Sequence, residues 1–181
     1  MKTPIQFIEL LVHHRRLCNG VLAGICALMM AFALYAQHVL ALEPCPLCVM
    51  QRLAMIATGV VFLLAFLHGP GLVGSRAYAL LVTLVAGAGA LVAGRHVWLQ
   101  NLPPDEVPAC GPGLDYMLDV FPLADALRMV FTGSGECADV KWQLLGLTMP
   151  GWVLLSFIGM IIAALVVNLP SADAGGTARS A

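Results

Sequence analysis

Apolar residues in this chain come in four long runs, and each run is closed by a turn signal. The runs extend from about Cys18 to Leu42, Leu47 to Leu67, Arg76 to Leu99 and Leu144 to Leu169. A helix needs about 20 residues to cross the roughly 30 Å hydrocarbon core of a bilayer, and each run is long enough. Glu43-Pro44 separates the first two runs and His68-Gly69-Pro70-Gly71 the next two, while a polar segment from Gln100 to Gln143 precedes the last. The pattern predicts an all-α integral membrane four-helix bundle, one transmembrane domain with a long loop on one side. Residues 171–181 are small and polar, as in a disordered tail. Composition agrees: 60% hydrophobic and 10% charged residues do not make a water-soluble core.

Basic residues set the expected orientation. Lys2, Arg15 and Arg16 precede the first span and Arg76 lies in the second connection, whereas the first connection has no Lys or Arg. Both termini are therefore expected in the cytoplasm. The long loop carries Arg128 and Lys141 against Asp105, Glu106, Asp115, Asp119, Asp125, Glu136 and Asp139, which suits the far side. The first apolar run exceeds a signal-peptide h-region and lacks a clean A-x-A site, so it reads as an anchor rather than a cleaved leader.

That topology sorts the six cysteines. Cys45, Cys48, Cys110 and Cys137 fall on the outer side, an even set where disulfides persist. Cys45-Pro46-Leu47-Cys48 opens the second span, and two thiols at i and i+3 on a starting helix share one face. Pro44 and Pro46 suit an extended approach and a first turn, where a missing N–H costs little. The partial positive charge of the helix N-terminus, with Arg52 one turn past Cys48, favours thiolate. A Cys110–Cys137 disulfide would close a loop of about 28 residues, worth roughly 3–4 kcal/mol as a staple. With a Cys-x-x-Cys pair on the same surface, exchange between the two pairs is the stronger reading. Cys18 and Cys26, inside the first span, read as small apolar residues.

Leu123, Leu127, Val130 and Phe131 recur at helical spacing after Pro122. They predict a short interfacial helix in the loop, a short packing helix being the other reading. Arg52 and Arg95-His96 are both expected near the outer boundary, where they can converge or merely reach the head groups. A cation and an imidazole beside a dithiol are what a bound quinone needs, as donors to its carbonyl oxygens. His38 finds no partner, and His13 and His14 read as solvated flank. Gly20-x-x-x-Gly24 and Ala90-x-x-x-Gly94 permit close helix approach, and Trp98, Trp142 and Trp152 sit near span ends. There is no P-loop or dinucleotide G-x-G-x-x-G, and nothing points to nucleic acid.

The combination of Cys45-Pro-Leu-Cys48 with Gln51-Arg52, His96, the loop cysteines and Trp142-Gln-Leu-Leu-Gly-Leu-Thr-Met-Pro-Gly-Trp152 resembles the DsbB family of bacterial inner-membrane thiol oxidases. The resemblance runs from Arg15 to Leu169. It implies that Cys110 is attacked by a reduced, DsbA-like periplasmic dithiol oxidase and that Cys137 is its partner. Cys45 and Cys48 are then the membrane-proximal pair, and Arg52 and His96 the positions near a quinone, ubiquinone or menaquinone. Gln51 stands where some relatives carry an acid, which bears on the potential of the pair. Three alternatives compete with this expectation. A membrane metal carrier would use Cys45, Cys48 and His96 as soft ligands. A vitamin K epoxide reductase-like protein would carry its Cys-x-x-Cys in a late span, unlike this chain. A scaffold with two structural disulfides would show no quinone-dependent turnover.

Overall fold

The structure, a computed structural model, describes residues 14–103, 105–109 and 135–169, with isolated positions 116, 120, 122, 125, 128, 130 and 133 between them. Cys110, the loop residues Leu123, Leu127 and Phe131, and the tail 171–181 lie outside the described residues. Four helices dominate: α1 (Arg15–His38), α2 (Pro46–His68), α3 (Leu72–Leu99) and α4 (Met149–Asn168). The shortest has 20 residues, which at about 1.5 Å per residue matches the hydrocarbon thickness, and all four are apolar enough to cross a membrane.

Local chemistry explains the helix ends. Cys45 holds an extended backbone as the N-cap of α2, with Pro46 in the first turn. Gly69, at φ +58°, closes α2 in the left-handed conformation that glycine tolerates, and its N–H bonds the Ala65 carbonyl at 3.1 Å. Helices α1 and α3 begin at Arg15 and Leu72, ahead of the apolar runs that open at Cys18 and Arg76, and two ends at the other side of the bundle fall inside their runs. Helix α1 stops at His38, because the chain must turn over the bundle to bring Cys45 to the start of α2, and Ala41 takes a left-handed φ of 52° within that turn. Helix α4 starts at Met149, because Gln143–Leu144 and Leu147–Thr148 pair as a small antiparallel hairpin. Its turn residues Leu145 and Gly146 have φ +53° and +80°, the left-handed pair of a tight hairpin, and Trp152 Nε1 donates to the Leu144 carbonyl at 3.2 Å. Hydropathy does not separate such an apolar hairpin from a span.

Consecutive helices pack against each other, α3 most extensively on α4. The shared core contains Phe62, Val82, Ala86, Ala93, Phe157 and Ala164, and Cys26 sits in it as the small apolar residue expected. Close approach comes where small residues meet aromatic ones. A Cβ at Gly89 would lie 2.4 Å from Cζ of Phe157, and one at Gly20 would lie 2.9 Å from the Phe66 ring. Gly24 and Gly94 face open space, so neither small-residue motif forms a contact through its second glycine.

The end of the bundle that gathers the start of α1, the start of α3 and the end of α4 is tied by polar groups. The amides of Asn19 and Asn168 bond reciprocally at 3.1 and 3.2 Å. Asn168 also donates to Ala164 O, and Ser75 Oγ lies 3.0 Å from the Asn168 carbonyl. Arg15 donates to Ser75 Oγ at 2.9 Å and to Val167 O at 3.1 Å.

Candidate redox site

At the opposite end, the period of α2 places Cys45, Cys48, Gln51, Arg52 and Met55 along one stripe, and His96 and Gln100 follow one turn apart at the end of α3. The stripes meet. Cys45 is buried and Cys48 half-buried, and their sulfurs lie 3.2 Å apart, close enough for one thiol to donate to the other. The His96 ring, 3% exposed, presents Nε2 to Cys45 Sγ at 3.8 Å and Nδ1 to Cys48 Sγ at 4.0 Å. Gln51, also buried, brings its side-chain nitrogen to His96 Nδ1 at 3.0 Å. His96 is thus a neighbour of both thiols.

Arg52 reaches α1. Its guanidinium donates to Gln37 Oε1 and, at 3.1 Å, to the Ala33 carbonyl. That grip spans two helices while Arg52 still lines the cavity beside Cys48. Arg95 does not join it; its guanidinium lies 4.1 Å from the centre of the Trp98 ring, its i+3 neighbour. Of the three residues expected to converge, Arg52 and His96 line one cavity, while Arg95 stacks on an exposed aromatic. His38 is exposed at the last turn of α1.

Cys137 is fully buried within a single helical turn, Gly135–Ala138. It belongs to one apolar cluster with Cys45, Leu47, Val92, Leu99 and Val130, against which Cys48 also packs. Val130 is helical and 2% exposed, so at this position the loop segment packs on protein.

The thiols open on a cavity of about 920 Å³, counted to its open mouth. Met29, Met30, Met55 and Met149 supply much of its apolar wall, while Glu136, Asp139 and Lys141 stand among the residues that line it. Thioether side chains adapt to flat rings and to flexible chains. Gln100 is also among the lining residues, and its side-chain Oε1 is buried with no hydrogen-bond partner among the described residues. A lone buried acceptor costs free energy unless a ligand satisfies it. Sequence reasoning passed over Gln100 and Gln37; the signal for Gln100 was its place one turn after His96. Donor atoms of Cys45, Cys48 and His96 all lie within 4.8 Å of one another, the proximity that a metal carrier would also need.

Comparison with known proteins separates these chemistries. Residues 15–167 match the family described as disulfide bond formation protein DsbB. Proteins named disulfide bond formation protein B are similar along most of their length. That of Nitrosococcus oceani is 56% identical over 141 residues, covering 78% of this chain and 83% of the relative. That of Marinobacter nauticus is 51% identical over 150 residues, covering 83% and 89%. That of Saccharophagus degradans is 48% identical over 165 residues, covering 91% and 99%. A family match over nearly the whole bundle, on a chain that sets a dithiol at the mouth of an apolar cavity, leads to one conclusion: this multi-pass membrane protein belongs to the DsbB family of disulfide oxidoreductases.

Proposed function

We propose that the protein oxidises a soluble periplasmic dithiol carrier of the DsbA type and delivers the electrons to a membrane quinone, so sustaining disulfide bond formation. One observation carries the reading: the Cys45–Cys48 pair opens on the same cavity that Arg52, His96 and Gln100 line. The protein would sit in the bacterial inner membrane with both termini cytoplasmic, consistent with Arg15 and Arg16 at the end of the bundle away from the dithiol.

The cavity fits a quinone. Methionines offer the ring an adaptable wall, Arg52 offers guanidinium donors, and the Gln100 amide offers an acceptor to a hydroxyl or, rotated, a donor to a carbonyl. When bound, a quinone supplies the acceptor for the two electrons and two protons released as the Cys45–Cys48 dithiol returns to a disulfide.

The thiol steps balance within the chain. The carrier's thiolate attacks Cys110 of a Cys110–Cys137 disulfide, and Cys137 leaves as thiolate. Cys137 attacks Cys45 of the Cys45–Cys48 disulfide, and Cys48 leaves as thiolate toward the cavity. The carrier's second thiol then displaces Cys110 and departs oxidised. Cys110 attacks Cys137 of the Cys45–Cys137 bond, freeing Cys45 and restoring the loop disulfide. Burial of Cys137 in one cluster with Cys45 supports the second step. Exchange is fastest when the attacking thiol has a pKa near ambient pH and the leaving thiol a lower one.

Purified protein in lipid nanodiscs, mixed with a reduced periplasmic dithiol protein and a soluble quinone, tests the reading. Quinone absorbance should fall mole for mole with carrier oxidation. Carrier oxidation that proceeds at the same rate without quinone, or no oxidation at all, would overturn it.

A further inference from the structure

Histidine has one N–H in its neutral form, and a buried imidazole between two sulfurs cannot serve both in the same way. Gln51 breaks the tie. Its side-chain nitrogen lies 3.0 Å from His96 Nδ1, so the amide donates and Nδ1 accepts. The imidazole proton is then on Nε2, which faces Cys45 Sγ at 3.8 Å. Cys48 Sγ meets the Nδ1 side of the ring at 4.0 Å, where the lone pair is already engaged.

We infer that Gln51 is a positioning residue that fixes His96 as the Nε2–H tautomer, so that His96 gives its single N–H to Cys45 and withholds it from Cys48. The inference rests on the thiol relay proposed above and deepens it. When Cys110 attacks Cys137 of the Cys45–Cys137 bond, the Cys110–Cys137 bond forms, the Cys45–Cys137 bond breaks, and the electron pair stays on Cys45 Sγ. His96 Nε2–H is the donor aimed at that sulfur. A hydrogen bond to an anion is stronger than one to a neutral group, so it lowers the cost of this departure more than it stabilises the disulfide. Cys48, without this donor, keeps its electron pair for the cavity. The side chain at 51 thereby chooses which sulfur is held as the leaving group and which as the electron donor.

The chemistry of the amide makes the claim specific. An ionised carboxylate in its place only accepts, so it would draw the proton to Nδ1 and leave Nε2 with a lone pair toward Cys45. An apolar side chain would leave the tautomer to chance.

The test compares wild type with Gln51→Glu and Gln51→Leu, each reduced and reconstituted in nanodiscs. Nitrogen-15 NMR of labelled histidine reads the His96 tautomer, assigned by difference from His96→Asn. Iodoacetamide labelling, resolved by peptide mass spectrometry, reads Cys45 against Cys48 in the same samples. Wild type should show the Nε2–H tautomer, Gln51→Glu the Nδ1–H form, and Gln51→Leu a mixture. The ratio of Cys45 to Cys48 labelling should fall at least about fivefold in Gln51→Glu, the scale of one charge-assisted hydrogen bond, and about twofold in Gln51→Leu, where the two tautomers share the population. A wild-type Nδ1–H tautomer, or a tautomer and labelling ratio unchanged in both variants, would overturn the inference. Neither readout uses quinone, so failure here is distinct from failure of the quinone assay. Global misfolding would show in labelling of buried Cys26, which should stay protected in all three.

Discussion

The two ends of this bundle handle buried polar groups in opposite ways. At the terminal end, Asn19, Ser75 and Asn168 are each no more than 1% exposed, and they bond to one another, to Arg15 or to backbone carbonyls. At the dithiol end, two thiols and an imidazole meet at 3.2 to 4.0 Å, and Gln100 Oε1 has no partner among the described residues. In a bilayer an unsatisfied polar atom has no water to fall back on. A closed network therefore holds helices together, and an open one is left open for something that arrives: a thiol, a proton or a ligand. The terminal clamp joins α1, α3 and α4, so the cavity end is free to keep unsatisfied atoms.

The largest effect should come at the open end. Cys48→Ser removes the sulfur that faces the cavity and keeps the volume nearly the same. Quinone-coupled turnover should fall at least about a thousandfold, the scale on which losing an essential nucleophile acts. Stability should fall by no more than about 1 kcal/mol, the scale of one modest contact, because the half-buried sulfur packs beside Cys45. Steady-state quinone reduction beside thermal unfolding in detergent checks both. Turnover retained within tenfold would mean that the open end is not the reaction site.

At the closed end the ranking reverses. Asn168→Leu keeps size but strands the buried Asn19 Oδ1, while the Asn19 amide nitrogen keeps the Arg15 carbonyl, and should cost about 1–2 kcal/mol of stability, allowing for the modest worth of interhelical hydrogen bonds in membranes. Turnover should stay within about twofold at a temperature where the variant is folded. The double variant Asn19→Leu/Asn168→Leu should recover part of the loss, because it leaves no lone amide behind. Thermal unfolding of the three proteins measures this. A double variant less stable than the sum of the singles would show that the amides are not a closed pair.

Much of the open end was legible in the sequence, and little of the closed one. Cys45, Cys48, Arg52 and His96 announce themselves through residue type, a short spacing and span boundaries, and the family match places the whole pattern in one context. Asn19, Ser75 and Asn168 are single polar residues in three apolar stretches, two of them 149 positions apart, and no local period links them. Small-residue motifs misled for a related reason: spacing says which glycines share a face, but only the neighbouring helix decides that Gly89 receives Phe157 while Gly24 and Gly94 receive nothing. Apolar content misled at Leu144–Leu147, where a hairpin exposes Leu145 at 84%. Backbone conformation at that turn, and not hydropathy, ends the loop. Arg52 shows the finer limit. Sequence put it one turn from Cys48, and the structure keeps it in the cavity wall, but its hydrogen bonds run to Gln37 and Ala33 on another helix.

The smallest expected effect gives the sharpest test, because its sign differs between the two ends. Removing a polar side chain from the closed network must destabilise, since its partner is left alone. Removing one from the open end should not. Gln100→Leu eliminates the orphaned Oε1 and places an apolar group beside the methionines of the cavity. Without ligand the variant should be as stable as wild type or more stable by up to about 1 kcal/mol, the desolvation cost of an unpaired acceptor. With a saturating soluble quinol the order should reverse: wild type gains more in unfolding temperature, because the Gln100 oxygen accepts from a hydroxyl that an aliphatic side chain leaves unsatisfied. The expected loss of affinity is about fivefold, the equivalent of about 1 kcal/mol. Unfolding curves with and without quinol measure both halves of the claim. A Gln100→Leu protein destabilised without ligand and unaltered in its response to quinol would show that this amide belongs to a network like that of Asn19 and Asn168. The contrast between the two ends would then rest on the thiols and the imidazole alone.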